Sequence, residues 1–449
     1  MKRIIAMVCC VAICGIASAQ AVYTLAQLKD SALNNNIAIR QAHRSIEAVQ
    51  QQRKEAFTKY FPSISATGLW FNADKGMAHM DINPSEMISP QLAASMAQQL
   101  PMGALAAMQN PIGVSMLKNG TMAGVNAVQP VFAGGQIVNG NRLARVGEEA
   151  ACLQLQLSEN EVEKHTEEYF WQLVTLQEKL RTVTAVELML AEIHKDVDVA
   201  VRAGVAMRND LLQVQLRRNE VESQELKLRN AMSIVRLLLA QYCGLRDTSF
   251  VLNQDVSGID ADDGAEELQC PVFDVQTLPE YQLLDKQVKV ARLQKNIAVG
   301  KNLPSVAVGA GYNYHNLLEN DRSFGMVFTS VSVPISDWWG GAHAIRRSKI
   351  EYQRAQDEQR DKAELLRIRM QSAWNNVVEA RQQLDIARRS IEQSEENLRL
   401  NRDYYRAGTA RMTDLLEAQL LYQQSLDRRA DAYAEYNNRL LEYRQSVGL

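Results

Sequence analysis

Three absences organise this sequence. Cysteine is scarce: there are six in 449 residues, and Cys9, Cys10 and Cys14 fall within the first fourteen. The remaining three, Cys152, Cys243 and Cys270, are odd in number, far apart and outside any C-x-x-C. That excludes a disulfide framework and a thiolate metal site, and the three are expected to be buried apolar thiols. Long hydrophobic runs are missing too. No stretch after residue 19 holds eighteen uninterrupted apolar residues, which excludes a transmembrane helix. Proline is confined: all ten lie at 62–130 or 271–334, with none between Val131 and Cys270 and none after Pro334. Catalytic signatures are also lacking. There is no H-E-x-x-H, no Walker loop, no G-x-S-x-G and no clustered His/Cys set, so no enzyme, cofactor or metal site is expected. A formal net charge of −3 excludes a nucleic-acid-binding polycation.

The first 19 residues read as a secretory signal. Lys2 and Arg3 precede an apolar run from Ile4 to Ile16, and Ala17-Ser18-Ala19 supplies the small-residue cleavage site. Ile13 stands before Cys14 where a lipid-anchoring signal requires a small residue, so no lipid anchor is expected. Cleavage removes Lys2 and Arg3 and takes the charge from −3 to −5. An exported chain without an apolar helix either stays in water or crosses a membrane as a closed barrel.

What the sequence has is a duplication. "VRAGVAMRNDLLQVQL" begins at Val201 and "YRAGTARMTDLLEAQL" at Tyr405, an offset of 204. Cys243-Gly244-Leu245 and Val447-Gly448-Leu449 keep that offset, as do Pro130-Val131 and Pro334-Ile335. Phe61-Pro62-Ser63 and Leu303-Pro304-Ser305 are 242 apart, so 242 less 204, or 38 residues, are inserted between Pro62 and Pro130. The insertion falls in 72–121, rich in Met, Pro, Gly, Ser and Gln without a sustained period, and is expected to be a surface loop. Met77, Met80, Met87, Met96, Met102, Met108, Met116 and Met122 are half of the 16 methionines. Thioethers can bind Cu(I), but the irregular spacing favours a loop packing over a barrel mouth.

The proline-free tracts are expected to be long helices. Ala363, Leu366, Met370, Ala373, Val377, Ala380, Leu384, Ala387, Ile391, Ser394 and Leu398 step by three and four, a heptad stripe. Tyr169, Leu173, Leu176, Leu180, Val183 and Leu190 repeat it in the first copy. From Gln136 to Arg202 a helix would run roughly 100 Å. Gly204 and Gly408 would break each long helix at a hairpin turn, and Asp210 would cap the returning helix. A run from about Thr24 to Lys59, roughly 50 Å, would cover the half that the returning helix leaves bare.

Four short segments alternate with period two. Val306, Val308, Ala310, Tyr312 and Tyr314 share one face; Val327, Val331, Val333 and Ile335 share another. The first copy gives Ile64, Ala66, Gly68 and Trp70, then Ala123, Val125 and Ala127. The opposite faces are expected to be small and polar, and each strand about ten residues, the length of a tilted membrane strand. Trp70-Phe71, Phe132, Tyr312, Tyr314 and Trp338-Trp339 would form aromatic girdles. Closed barrels need at least about eight strands, so four must be shared among subunits. Two chains or three satisfy the count, and the wider bore of twelve strands favours three.

With these features the chain resembles a TolC-type outer-membrane efflux protein, of the outer membrane factor family. The resemblance rests on the duplication, on Pro62-Ser63 and Pro304-Ser305 at strand openings, on Gly134-Gly135 and Gly340-Gly341, and above all on "YRAGTARMTDLLEAQ". It implies a mainly α fold with a small β part: a homotrimer with a twelve-strand outer-membrane barrel continued by a twelve-helix periplasmic tunnel. Residues 1–19 would be the signal, 20–245 the first repeat, 246–277 an equatorial segment between repeats and 278–449 the second repeat. The resemblance further implies an exit duct of a tripartite efflux or type I secretion system, passively exporting drugs, metabolites or metals. An inner-membrane transporter of RND type would deliver them through a periplasmic adaptor. At the tip, Asp414 and Glu417 match the acidic constricting ring, and three copies of each would favour cations. Asp210 and Tyr405 match a pair that holds the helices shut. Ala410 stands where the family has the arginine partner, with Arg411 adjacent and Arg208 near. Asp210 and Asp414 also suit plain helix capping. The competing reading is an exported structural or adhesive coiled coil without a pore.

Overall fold

The computed structural model describes residues 22–82, 89, 112–116, 118–252, 274–317, 320–335 and 337–448. The expected signal, Cys270, most of the Met-rich insertion and residues 253–273 between the repeats lie outside the described residues. The elements run β1 (Val22–Tyr23), α1 (Leu25–Asn35), α2 (Ile37–Thr58), β2 (Ser63–Asn72), β3 (Ala78–Ile82), β4 (Ile112–Met116), β5 (Asn119–Ala133), α3 (Gln136–Arg202) and α4 (Arg208–Cys243). Then come β6 (Val251–Leu252), α5 (Pro279–Gly300), β7 (Ser305–Leu317), β8 (Asn320–Ser332), α6 (Asp337–Arg406) and α7 (Met412–Val447). The fold is mainly helical with a small sheet. Contacts divide it into two units, one of Met1–Val49, Gly147–Val288 and Arg354–Leu449, the other of Gln50–Val146 and Lys289–Gln353.

The second unit holds a four-stranded antiparallel sheet in the order β2-β5-β7-β8. Its register decides which side chains share a face. Ala66 lies opposite Val125, Val125 opposite Tyr312, and Ala310 opposite Ala127 and Val327. Every segment's apolar set therefore falls on one side, and that side is bare: Val327 is 86% and Trp70 70% exposed. The opposite side carries Ser65, Thr67, Asn126 and Asn313 as expected, but also Leu69, Met122, Phe324, Met326 and Phe328. The expectation of a uniformly small, polar second face is corrected. Of these bulky groups, Leu69, Met122, Phe324 and Met326 line a shared groove with His315. β5, β7 and β8 have 15, 13 and 13 residues, longer than the ten expected. Pro130, which cannot donate to the ladder, coincides with a register shift between Pro130 and Phe132. The insertion is not all loop, because β3 and β4 pair antiparallel within it.

The paired glycines work differently in the two halves. Gly134 and Gly135 have φ of 59° and 75° and turn β5 into α3. A Cβ on Gly134 would overlap the Gly300 carbonyl. Gly340 and Gly341 lie within the first turn of α6, and a Cβ on Gly341 would overlap the Asn302 amide. Close approach is common to both pairs; the left-handed turn is not.

The first unit is built on helix packing. Of the eleven stripe residues in α6, Met370, Ala373, Val377, Ala380, Leu384, Ala387, Ser394 and Leu398 are buried and the other three half-buried. In α3 the buried set includes Leu173, Val183 and Leu190, together with Phe170 and Trp171. Leu28, Ala32, Leu239 and Cys243 join that aromatic pair in one core cluster. The stretch from Thr24 to Lys59 is two helices rather than one. Asn36 breaks it in extended geometry (ψ 140°), donates to the Tyr242 carbonyl at 3.1 Å and accepts the Ala38 N–H at 2.8 Å. Burying Asn36 here satisfies the broken backbone and ties it to α4. Glu167, nearly buried, accepts from Lys29 Nζ at 2.6 Å and from Trp171 Nε1 at 3.2 Å, joining α1 to α3. Cys243 is buried as expected, and burial pushes its thiol up to about 12. Cys152 is exposed, contrary to expectation.

Candidate gate at the hairpin tips

The repeated phrase makes two matching turns. α4 and α7 each span 36 residues, and the bounds of one become those of the other on adding 204. Gly204 and Gly408 have φ of 73° and 72°. The Gly408 N–H donates to the Tyr405 carbonyl at 2.9 Å and the Thr409 N–H to the Tyr404 carbonyl at 2.9 Å. Gly204 and Val205 make the same pair of bonds, to Val201 and Ala200. This is the glycine-terminated helix end in which a left-handed residue lets two N–H groups satisfy the last carbonyls. Nothing lies within 4 Å of a Cβ built on either glycine, so backbone angle rather than space requires them.

Asp210 and Asp414 are not N-caps. Met207 and Arg411 occupy those positions, and each aspartate sits three residues on. The Asp210 carboxylate accepts the Met207 N–H at 3.2 Å, and that of Asp414 accepts the Arg411 N–H at 3.0 Å. The helix starts one turn earlier than sequence suggests because the carboxylate reaches back to the N-cap amide, as the acidic half of a capping box does. Thr413 Oγ1 adds a bond to Asp414 at 3.4 Å.

The structure brings Tyr405 and Asp210 into one neighbourhood. Tyr405 is half-buried against the cluster of Met412, Leu415 and Val214. Burial, and then the negative charge of Asp210, raise its phenol above the usual value. Asp414 and Glu417 are exposed on one face of α7, Asp414 engaged in its cap. Arg411 is exposed at the N-cap, and Ala410 is half-buried. Arg402 of α6 reaches Glu192 of α3 at 3.1 Å, an ion pair between the two hairpins.

Sequence reasoning missed a buried charged group here. Arg217, 9% exposed, lies between α4 and α7. Its Nε donates to Gln419 Oε1 at 3.1 Å, Nη2 to Gln423 Oε1 at 2.9 Å, and Nη1 to Glu220 at 2.9 Å on its own helix. Gln423 in turn donates to Gln224 of α4 at 3.0 Å. A signal was present: Arg217 falls between Val214 and Val221 at steps of three and four, an arginine in the buried stripe.

Comparisons place this geometry among known proteins. Residues 280–449 match the family model described as "Outer membrane efflux protein". Among curated proteins none matches the chain. Solved structures of the same fold include the outer membrane protein VceC from Vibrio cholerae, at 13% identity, covering 94% of this chain and 96% of that one with a TM-score of 0.71. The outer-membrane channel OprN aligns at 16% identity over 94% and 89%, with a TM-score of 0.74. CusC, a protein described as undergoing transmembrane channel formation, aligns at 13% over 95% and 92%, with a TM-score of 0.76.

Proposed function

We propose that the chain, whose residues 280–449 match the outer membrane efflux protein model, is the exit duct of a tripartite efflux system. It is an outer-membrane channel, not an enzyme. Three copies pool their strands into one twelve-strand barrel, and their helical hairpins form a tunnel into the periplasm. A periplasmic adaptor joins it to an inner-membrane transporter of RND type, which supplies the driving force. The cargo is small solutes: drugs, metabolites or metals. Asp210, Tyr405, Arg411, Asp414 and Glu417 gate the periplasmic mouth, and Gly204 and Gly408 shape its rim.

The observation that carries this reading is the sheet. Among the described residues its two edge strands, β2 and β8, each have one unpaired side, and its apolar face is bare. Open edges are not tolerated in lipid, and a large bare apolar face is not tolerated in water. Edge-to-edge closure of identical sheets inside a membrane satisfies both. The test is extraction and reconstitution. The duct requires detergent for release, runs as a heat-sensitive oligomer on gels and passes ion current in planar bilayers. A monomer stable in plain buffer and silent in bilayers would instead be the exported coiled coil.

A further inference from the structure

We propose that Arg217, Gln419 and Gln423 form a polar latch that holds the two hairpins of each subunit together and keeps the mouth closed. The proposal rests on the exit-duct reading. The site is a charged group in an otherwise apolar seam: Val214 and Val221 flank Arg217 on α4, and Leu415 and Ala418 precede Gln419 on α7. A seam meant only to hold would be apolar throughout. Pulling apart hydrocarbon faces exposes surface that water does not compensate. Pulling the guanidinium from two amide oxygens lets water replace each bond, so the net cost of parting is small and the contact re-forms. The latch is firm while dry and labile once the hairpins begin to separate.

The duplication argues that this arrangement is not inherited scaffolding. At the offset of 204, Arg217 corresponds to Leu421, Gln419 to Gln215 and Gln423 to Asn219. No second copy of the triad is encoded, and each hairpin supplies a different half. Arg217 lies nine residues into α4, about 13 Å along the helix from its start. It thus supplies an arginine between the hairpins in a chain whose tip has Ala410.

The experiment uses the full-length oligomer in planar bilayers, with basal current per inserted channel as the readout. Arg217→Ala is expected to raise the closed-state current roughly tenfold, the effect of removing bonds to a charged donor. Arg217→Lys, a point charge without the planar fork, should fall between. Replacing the whole triad by apolar residues (Arg217→Met with Gln419→Leu and Gln423→Leu) should take basal current below the unmodified level. A purely structural residue would lower oligomer yield and melting temperature in these variants and leave current per channel unchanged. That result overturns the latch. If Arg217→Ala fails to assemble, Gln423→Glu strengthens the bond to Arg217 while giving up the donation to Gln224, and basal current must fall; an unchanged current overturns the proposal equally. An unmodified oligomer that never conducts overturns the duct itself, a failure distinguishable from a conducting channel indifferent to Arg217.

Discussion

Single residues in this chain carry opposed demands, and Asp427 is the plainest case. Its Oδ1 is buried without a hydrogen-bond partner, and burial pushes the carboxyl up to about 6 against the opposing pull of Lys179 on α3, with Asp431 on its own helix adding to the rise. Between about pH 4 and 6 the folded form holds a proton that the unfolded chain has released, so stability falls as pH rises through this window. Asp427→Asn should therefore raise the melting temperature at pH 7.5 and change it little at pH 4.5, as thermal scans at the two values would show. Gly408→Ala is a second residue-scale test. It forces a Cβ into the left-handed region, at a cost of about 1–2 kcal/mol. Denaturant midpoints should drop accordingly, although no neighbour is touched. The glycines were legible in the sequence because a repeated turn leaves a repeated glycine. Arg217 was not, since its polarity concealed a core position. Cys152 was misread because small apolar thiols are buried more often than not, and composition does not say which side of a helix has a neighbour.

At the scale of elements, periodicity translated well wherever packing enforces it. From Met370 to Leu398 every α6 stripe residue but the half-buried Ile391 is buried. Met370→Ala, in a position 2% exposed, should cost about 2–5 kcal/mol through lost burial and the cavity left behind. A smaller loss in denaturant titration would mean that the seam collapses around the gap. The strands were legible as alternation, and the register delivered their apolar faces to one side. Their lengths were not, because Asn119 and Asn320 open strands whose first residues lack a marked pattern. The hairpin of β3 and β4 and the break at Asn36 escaped for a related reason. Backbone pairing and a buried amide bridging to Tyr242 are long-range events with no local signature. Val327→Arg places a charge on the bare face of β8, where a membrane barrel would lose about 2–4 kcal/mol near midplane. Membrane-fraction yield should fall sharply, while the same substitution on a water-facing sheet would be harmless.

For the whole molecule, fold class followed from the duplication and from the lack of a spanning helix, two features read without any structure. Ring chemistry at the mouth is open to a cleaner test than truncation allows. Asp414 accepts the N-cap amide from the third position of α7, so Asp414→Ala would weaken the helix start as well as remove charge. Asp414→Asn with Glu417→Gln keeps the acceptor and removes only the charge. Reversal potentials in a salt gradient should shift toward zero as cation preference declines; an unshifted potential would remove both carboxylates from the selectivity ring.

One consequence follows from the inequality of the hairpins. α4 and α7 match in length to the residue and end alike, at Gly244 and Gly448, yet one bears the guanidinium and the other the amides. Six tips arranged around a threefold axis would then form a crown of even height whose teeth alternate in kind. A partner built from identical docking units would face two sorts of seat, and it could fill all six only by tolerating both.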